Sequence, residues 1–178
     1  MGLDDIREKI RIAELQSNRS QGSVNLIAVS KVQPYEKIEK ALLAGHRGFG
    51  ENRVQEAYQK WPAWKENFPN IVLHLLGPLQ TNKVKDALAL FDVVHSLDRE
   101  KLARVFSENT QKLGRCPEIF VQVNTGEENQ KAGISPTKVD DFVKECKQTY
   151  ALNIVGLMCI PPINEEPALH FSLLRKFR

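Results

Sequence analysis

The sequence predicts an α/β protein with a parallel sheet and helices outside it. Two observations carry this. After one leading helix, a short apolar run and a helical pattern alternate about six times along the 178 residues. The runs are branched and continuously apolar, as strands covered on both faces are. A missing feature narrows the class. No G-x-G-x-x-G or G-x-x-x-x-G-K-[ST] turn follows the first run, which weakens an open nucleotide-binding sheet. The alternation fits both an open doubly wound sheet and a closed (β/α)8 barrel. A barrel needs eight strands, and about six can be counted.

Each element has its own signal. Leu3, Ile6, Ile10 and Ala13 fall on one helical face, with Asp4 and Asp5 near the start. Leu26 to Val29 is the first strand-like run, and Ile38, Ala41 and Leu42 follow at helical spacing, with Gly45 as a stop. Gly48-Phe49-Gly50 leads through Glu51 and Asn52 into a helix carrying Val54, Ala57, Tyr58 and Trp61, which Pro62 is expected to break. Ile71 to Leu76 is a third strand with a turn at Gly77-Pro78. Lys83 to Leu90 is helical and Phe91 to His95 is a fourth strand. Asp98 suits the N-cap of a helix running to about Leu113. Ile119 to Val123 and Ile154 to Ile160 are the fifth and sixth strands. Pro136 opens the helix between them, and Ala168 to Phe177 is a last helical pattern.

Composition bounds the partners. Apolar residues make up 42% and charged residues 26%, with a net charge of +3. That balance gives no clustered basic footprint for nucleic acid. No apolar run approaches the roughly 20 residues of a membrane span, and the acids at Asp4 and Asp5 do not suit a signal peptide. Cys116, Cys146 and Cys159 form no C-x-x-C pair and have no nearby His at metal spacing, so no zinc site is expected. A sparse, odd cysteine set suits the reducing cytoplasm.

The polar residues sit where the apolar runs end. Ser30-Lys31, Glu51-Asn52, Gly77 to Asn82, His95-Ser96 and Asn124 close the first five. In a parallel α/β fold these ends lie on one face, where ligands bind. Lys31 is the sharpest case. It shares a strand face with Ile27 and Val29, and partial burial there would disfavour its ammonium and free an amine able to attack an aldehyde. A lysine after a strand is nonetheless more often simply solvated.

Ordered motifs add to that position. Ala28-Val29-Ser30-Lys31 resembles the cofactor-lysine motif of the pyridoxal phosphate homeostasis proteins. Phe49 to Glu56 and His74 to Lys83 resemble that family's second and third strand-end signatures. Val123-Asn124, Lys131 to Ile134 and Gly156-Leu157-Met158 resemble its fifth and sixth regions, in order, across nearly the whole chain. The resemblance implies a (β/α)8 barrel of the alanine racemase N-terminal type. It implies pyridoxal 5′-phosphate (PLP) as cofactor, held as an imine on Lys31. Asn52, Gly77, Asn124 and Met158 are the further cofactor-binding residues it implies, with no catalytic residue and no metal. Asn52 could hydrogen-bond a ring substituent or cap the helix after it. Gly77 could admit the cofactor or merely turn the chain. His74 and His95 read as hydrogen-bonded interior histidines, Lys83 and Lys131 as surface lysines, and Lys131 also as a second acceptor of the aldehyde. Met158 reads more as packing than chemistry.

The family's phosphate grip lies after its seventh strand and near its eighth, and the sequence ends at Arg178 before either. Residues 1–178 are therefore expected to be a single barrel domain cut after about six strands; a protein that truly ended there is expected to show weak or absent PLP binding and poor solubility. The resemblance implies a monomeric cytoplasmic protein of PLP (vitamin B6) homeostasis, with PLP-dependent apoenzymes as possible recipients. A PLP-dependent racemase is the alternative. It would need an acid/base group on each cofactor face, and Tyr35, Tyr58 and Tyr150 do not follow strands. A Schiff-base aldolase would need a lysine in a late strand, and the fifth and sixth runs contain none.

Overall fold

The computed structural model describes residues 2–177. Helix α1 (Leu3–Gln16) is followed by six βα units. They are β1 (Ala28–Val29) with α2 (Tyr35–Leu43), β2 (Gly48–Glu51) with α3 (Val54–Asn67), and β3 (Val72–Leu75) with α4 (Val84–Leu90). Next come β4 (Val93–Leu97) with α5 (Glu100–Leu113), β5 (Glu118–Gln122) with α6 (Val139–Gln148), and β6 (Ile154–Met158) with α7 (Pro167–Arg175). All neighbouring strands pair in parallel, in the order β1-β2-β3-β4-β5-β6.

That order decides between the two architectures left open by the pattern. A doubly wound sheet reverses direction at a switch point. Here the strand order never reverses, so right-handed crossovers place every helix on one side of the sheet. A sheet covered on one side and curved around the other is barrel wall. Among the described residues, β1 and β6 are its edges.

Strand alternation sorts the side chains. Phe49, Leu73, Leu75, Ile119 and Val121 point into the helix layer and are buried with Trp61, Leu88, Leu102 and Phe106. Each fully buried large apolar side chain contributes ~1.5–3 kcal/mol. The opposite face carries smaller and more polar groups. A Cβ on Gly50 would meet Leu76 and Ile27, and one on Gly156 would meet the Phe120 ring.

Two local expectations are corrected. Helix α3 does not stop at Pro62 but continues to Asn67. Pro62 costs about 3 kcal/mol inside a helix. The Trp61 ring packs on Phe49 and Trp64 at 4.9 and 5.2 Å on either side of that point and offsets the cost. Asp98 does not cap α5. Arg99 is the N-cap, and Asp98 instead accepts a hydrogen bond from the Arg99 guanidinium. The Gly45 stop is found as expected. Its φ is +78°, and the His46 N–H closes back on the Ala41 carbonyl at 2.9 Å.

Candidate functional site

The C-terminal strand ends enclose a cleft of about 400 Å³, within the range of small-molecule sites. Val29 and Lys31 line it from β1, Asn52 from β2, and Leu76, Gly77 and Pro78 from β3. Gln122 and Asn124 line it from β5, Lys131 from the loop beyond, and Ile160 from the end of β6. Four of the sequence-predicted residues, Lys31, Asn52, Gly77 and Asn124, are thus brought together from four strand ends. Met158 stands back from this wall, half-buried beside its register partner Gln122. Lys83 closes the short turn before α4. A larger hollow, about 820 Å³, opens at the other ends of the strands beneath α1. Its cations are already engaged: Arg7 with Asp4, Arg11 with Glu8, and Arg47 with backbone carbonyls. The smaller cleft holds the free chemistry.

Lys31 faces the cleft but is exposed, so the expected partial burial is not found. The reason is its place in a turn just past the two-residue β1 rather than within the strand. Its side chain makes no hydrogen bond or ion pair to another described residue, which leaves the amine free to react. Lys131 differs. Its ammonium is ion-paired to Glu128 and donates to the carbonyls of Ile160 and Pro161 at 3.4 and 3.3 Å.

The other lining groups are equally specific. Arg53, not Asn52, is the N-cap of α3, so the Asn52 amide is not spent on that helix. Asn124 is committed differently: its Nδ2 donates to the Glu128 carbonyl at 2.9 Å, and its Oδ1 accepts from the Glu128 N–H at 3.2 Å. It shapes the loop that carries Lys131. Gly77 runs against the end of β2. A Cβ there would lie 2.2 Å from the Asn52 carbonyl oxygen.

Beneath the cleft, His74 and His95 join at 2.9 Å, and His95 stacks flat on Phe120 with ring centroids 4.5 Å apart. Both are interior, hydrogen-bonded histidines. His95 and Ser96 do not close a strand as expected, because β4 runs on to Leu97. Burial pushes both imidazoles from 6.5 down to about 4, and proximity to His74 adds to the effect on His95. In the unfolded chain each titrates near 6.5, so between pH 6.5 and 4 the unfolded state holds more protons. The pair's contribution is therefore complete above that window and lost as pH falls through it. After discounting for partial exposure, stability should fall by about 2–3 kcal/mol from pH 7 to pH 5. Urea midpoints at the two pH values would show it. Equal pH dependence in a His74→Gln/His95→Gln double variant would refute the assignment.

Sequence reading missed two clusters. Glu51 is fully buried, and its Oε1 accepts from Ser30 Oγ at 2.8 Å, Trp61 Nε1 at 3.1 Å and Lys60 Nζ at 3.3 Å. Alternation in β2 was the available signal, because Glu51 falls on the same face as Phe49. Buried His170 binds Thr125 Oγ1 at 2.9 Å and Glu165 Oε2 at 3.2 Å, tying α7 to the loop after β5. No local pattern announces that contact.

The family described as alanine racemase, N-terminal domain, matches residues 2–177. The pyridoxal phosphate homeostasis protein of Vibrio cholerae is 38% identical over 161 residues, covering 89% of this chain and 68% of that protein. The chain belongs to the pyridoxal phosphate homeostasis family. Its Escherichia coli K12 relative of the same name is 34% identical over 98% of this chain and 75% of its own length. PipY of Synechococcus elongatus, solved with PLP bound, is 39% identical with a TM-score of 0.77, covering 97% of this chain and 79% of that one. Alanine racemase from Clostridium difficile, at 13% identity and a TM-score of 0.70 over 47% of its chain, shares the fold. Those neighbours agree with the barrel wall deduced from strand order.

Proposed function

We propose that this chain binds PLP on Lys31 and serves PLP homeostasis in the cytoplasm, as a monomer that catalyses no reaction of its own. One observation carries the reading: a lysine side chain with no partner among the described residues faces a small-molecule cleft. The groups around it suit this cofactor. Lys31 would hold the cofactor through its aldehyde, as an imine formed with loss of water. The Asn52 amide, uncommitted to the helix after it, would take a ring substituent, and Gly77, by letting the loop after β3 close against the Asn52 backbone, would shape the wall beside it. The names of the relatives and the PLP bound to PipY support the same cofactor. Within this proposal residues 1–178 are one cofactor-binding domain, and PLP-dependent apoenzymes are the recipients.

A racemase would need acid/base groups beside the cofactor. The Tyr58 hydroxyl donates to the Asp86 carbonyl and that of Tyr150 to Glu100, and no tyrosine lines the cleft. The test is chemical. The protein is incubated with PLP, reduced with borohydride and digested, and the modified peptides are mapped by mass spectrometry. The adduct is expected on Lys31. Modification spread evenly over exposed lysines would overturn the reading.

A further inference from the structure

We propose that Glu51, Lys60 and Glu56 form a positioning network that fixes where the Lys31 amine stands. This rests on the reading of Lys31 as the aldehyde-binding lysine. Lys31 occupies a turn between Ser30 and Val32, and both neighbours are wired to one buried ammonium. Ser30 Oγ donates to Glu51 Oε1 at 2.8 Å, and the Ser30 carbonyl accepts from Lys60 Nζ at 3.4 Å. The Val32 N–H donates to Glu56 Oε1 at 2.8 Å. Lys60 Nζ joins the two carboxylates, at 3.3 Å to Glu51 and 2.7 Å to Glu56. Burial works against the Lys60 ammonium, but the Glu56 hydrogen bond and the Glu51 charge outweigh it and raise its pKa.

Two features argue for placement rather than mere stability. Val32 is β-branched, has φ +58° and is 84% exposed. Such a conformation persists only when its surroundings enforce it. At that exposure packing contributes little, and two hydrogen bonds hold the turn: the Gln33 N–H donates to the Ser30 carbonyl at 3.2 Å, and the Val32 N–H donates to Glu56. Glu51, in turn, is 0% exposed, and its Oε2 has no hydrogen-bond partner among the described residues. A buried ion cluster with an unsatisfied oxygen is a poor way to gain stability, since apolar side chains would serve as well. It does hold two backbone segments in fixed register on either side of a reactive lysine.

The test separates positioning from folding. Glu56→Ala removes the acceptor from Val32, whereas Glu56→Gln keeps an oxygen there without the charge. Lys60→Met breaks both ion pairs. Two quantities are measured: the rate of borohydride-trapped PLP addition at Lys31, and hydrogen exchange at the Val32 amide of the protein without PLP. Glu56→Ala is expected to slow trapping about tenfold, because small misplacements of a reacting group are costly, and to deprotect the Val32 amide. Glu56→Gln is expected to restore most of both, and Lys60→Met to fall between. Wild-type trapping rates in all three variants would overturn the network's role, even with lowered melting temperatures. A wild-type protein with no adduct at Lys31 would overturn the cofactor reading itself, and the network's role with it.

Discussion

Lys31→Ala is expected to reduce the borohydride-trapped PLP adduct by about 10²-fold, with the remainder on Lys131, while the fold stays intact. The size of the loss follows from how differently the two lysines are held. Both line the same cleft. Lys31 makes no side-chain bond among the described residues, so its nitrogen can take up the aldehyde without breaking anything. Lys131 would first have to leave Glu128 and two backbone carbonyls. The advantage of a well-placed, unengaged amine runs to several orders of magnitude. The exposed position of Lys31 bounds the other side of the prediction. Surface substitutions away from caps and networks usually shift stability by about 0.5 kcal/mol or less. Adduct mapping and a thermal melt on the same sample check both halves. Undiminished labelling in the variant would move the cofactor site elsewhere. A collapsed melt would mean that the turn, not the amine, is what the substitution removed.

The sheet was legible because its signals are local. Runs such as Ile71 to Leu76 and stops such as Gly45 carry their meaning within a few residues, and Lys31 does line the same cleft as Val29, although from the turn past β1 and not from the strand. What the sequence hid depends on distance or on competition. The exposure of Lys31 depends on β1 pairing through only Ala28 and Val29, which no hydropathy pattern fixes. Pro62 was read as a break because its local cost is plain, while the offsetting rings of Phe49 and Trp64 lie before and after it. Glu51 looked like one more polar strand-end residue, and its three donors come from Ser30, Lys60 and Trp61. The His170–Thr125 contact spans 45 residues. Strand order was the most consequential hidden fact. Composition and periodicity are the same for a barrel wall and an open sheet, and only the unreversed pairing from β1 to β6 tells them apart.

Gly77→Ala should damage both stability and cofactor binding, and the reason is steric rather than torsional. Gly77 is not among the residues with positive φ, so alanine could adopt its backbone conformation. The obstacle is space. The new Cβ would lie 2.2 Å from the Asn52 carbonyl oxygen and 2.8 Å from the Asn52 Cα, both backbone atoms that cannot swing aside. The loop after β3 would have to retreat from the end of β2 by about 1 Å to reach ordinary contact. That movement would strain the hydrogen bond from the Leu76 N–H to the Glu51 carbonyl, now 2.8 Å, and shift the cleft wall at Gly77 and Pro78 relative to Asn52. Overpacking of this kind typically costs about 1–3 kcal/mol. Displacing the cleft wall by about 1 Å should weaken PLP binding tenfold or more. Equilibrium titration with PLP, well below the melting temperature, separates the two effects, since a purely destabilised protein would still bind normally once folded. Wild-type affinity in Gly77→Ala would show that the close approach of β3 to β2 serves packing alone.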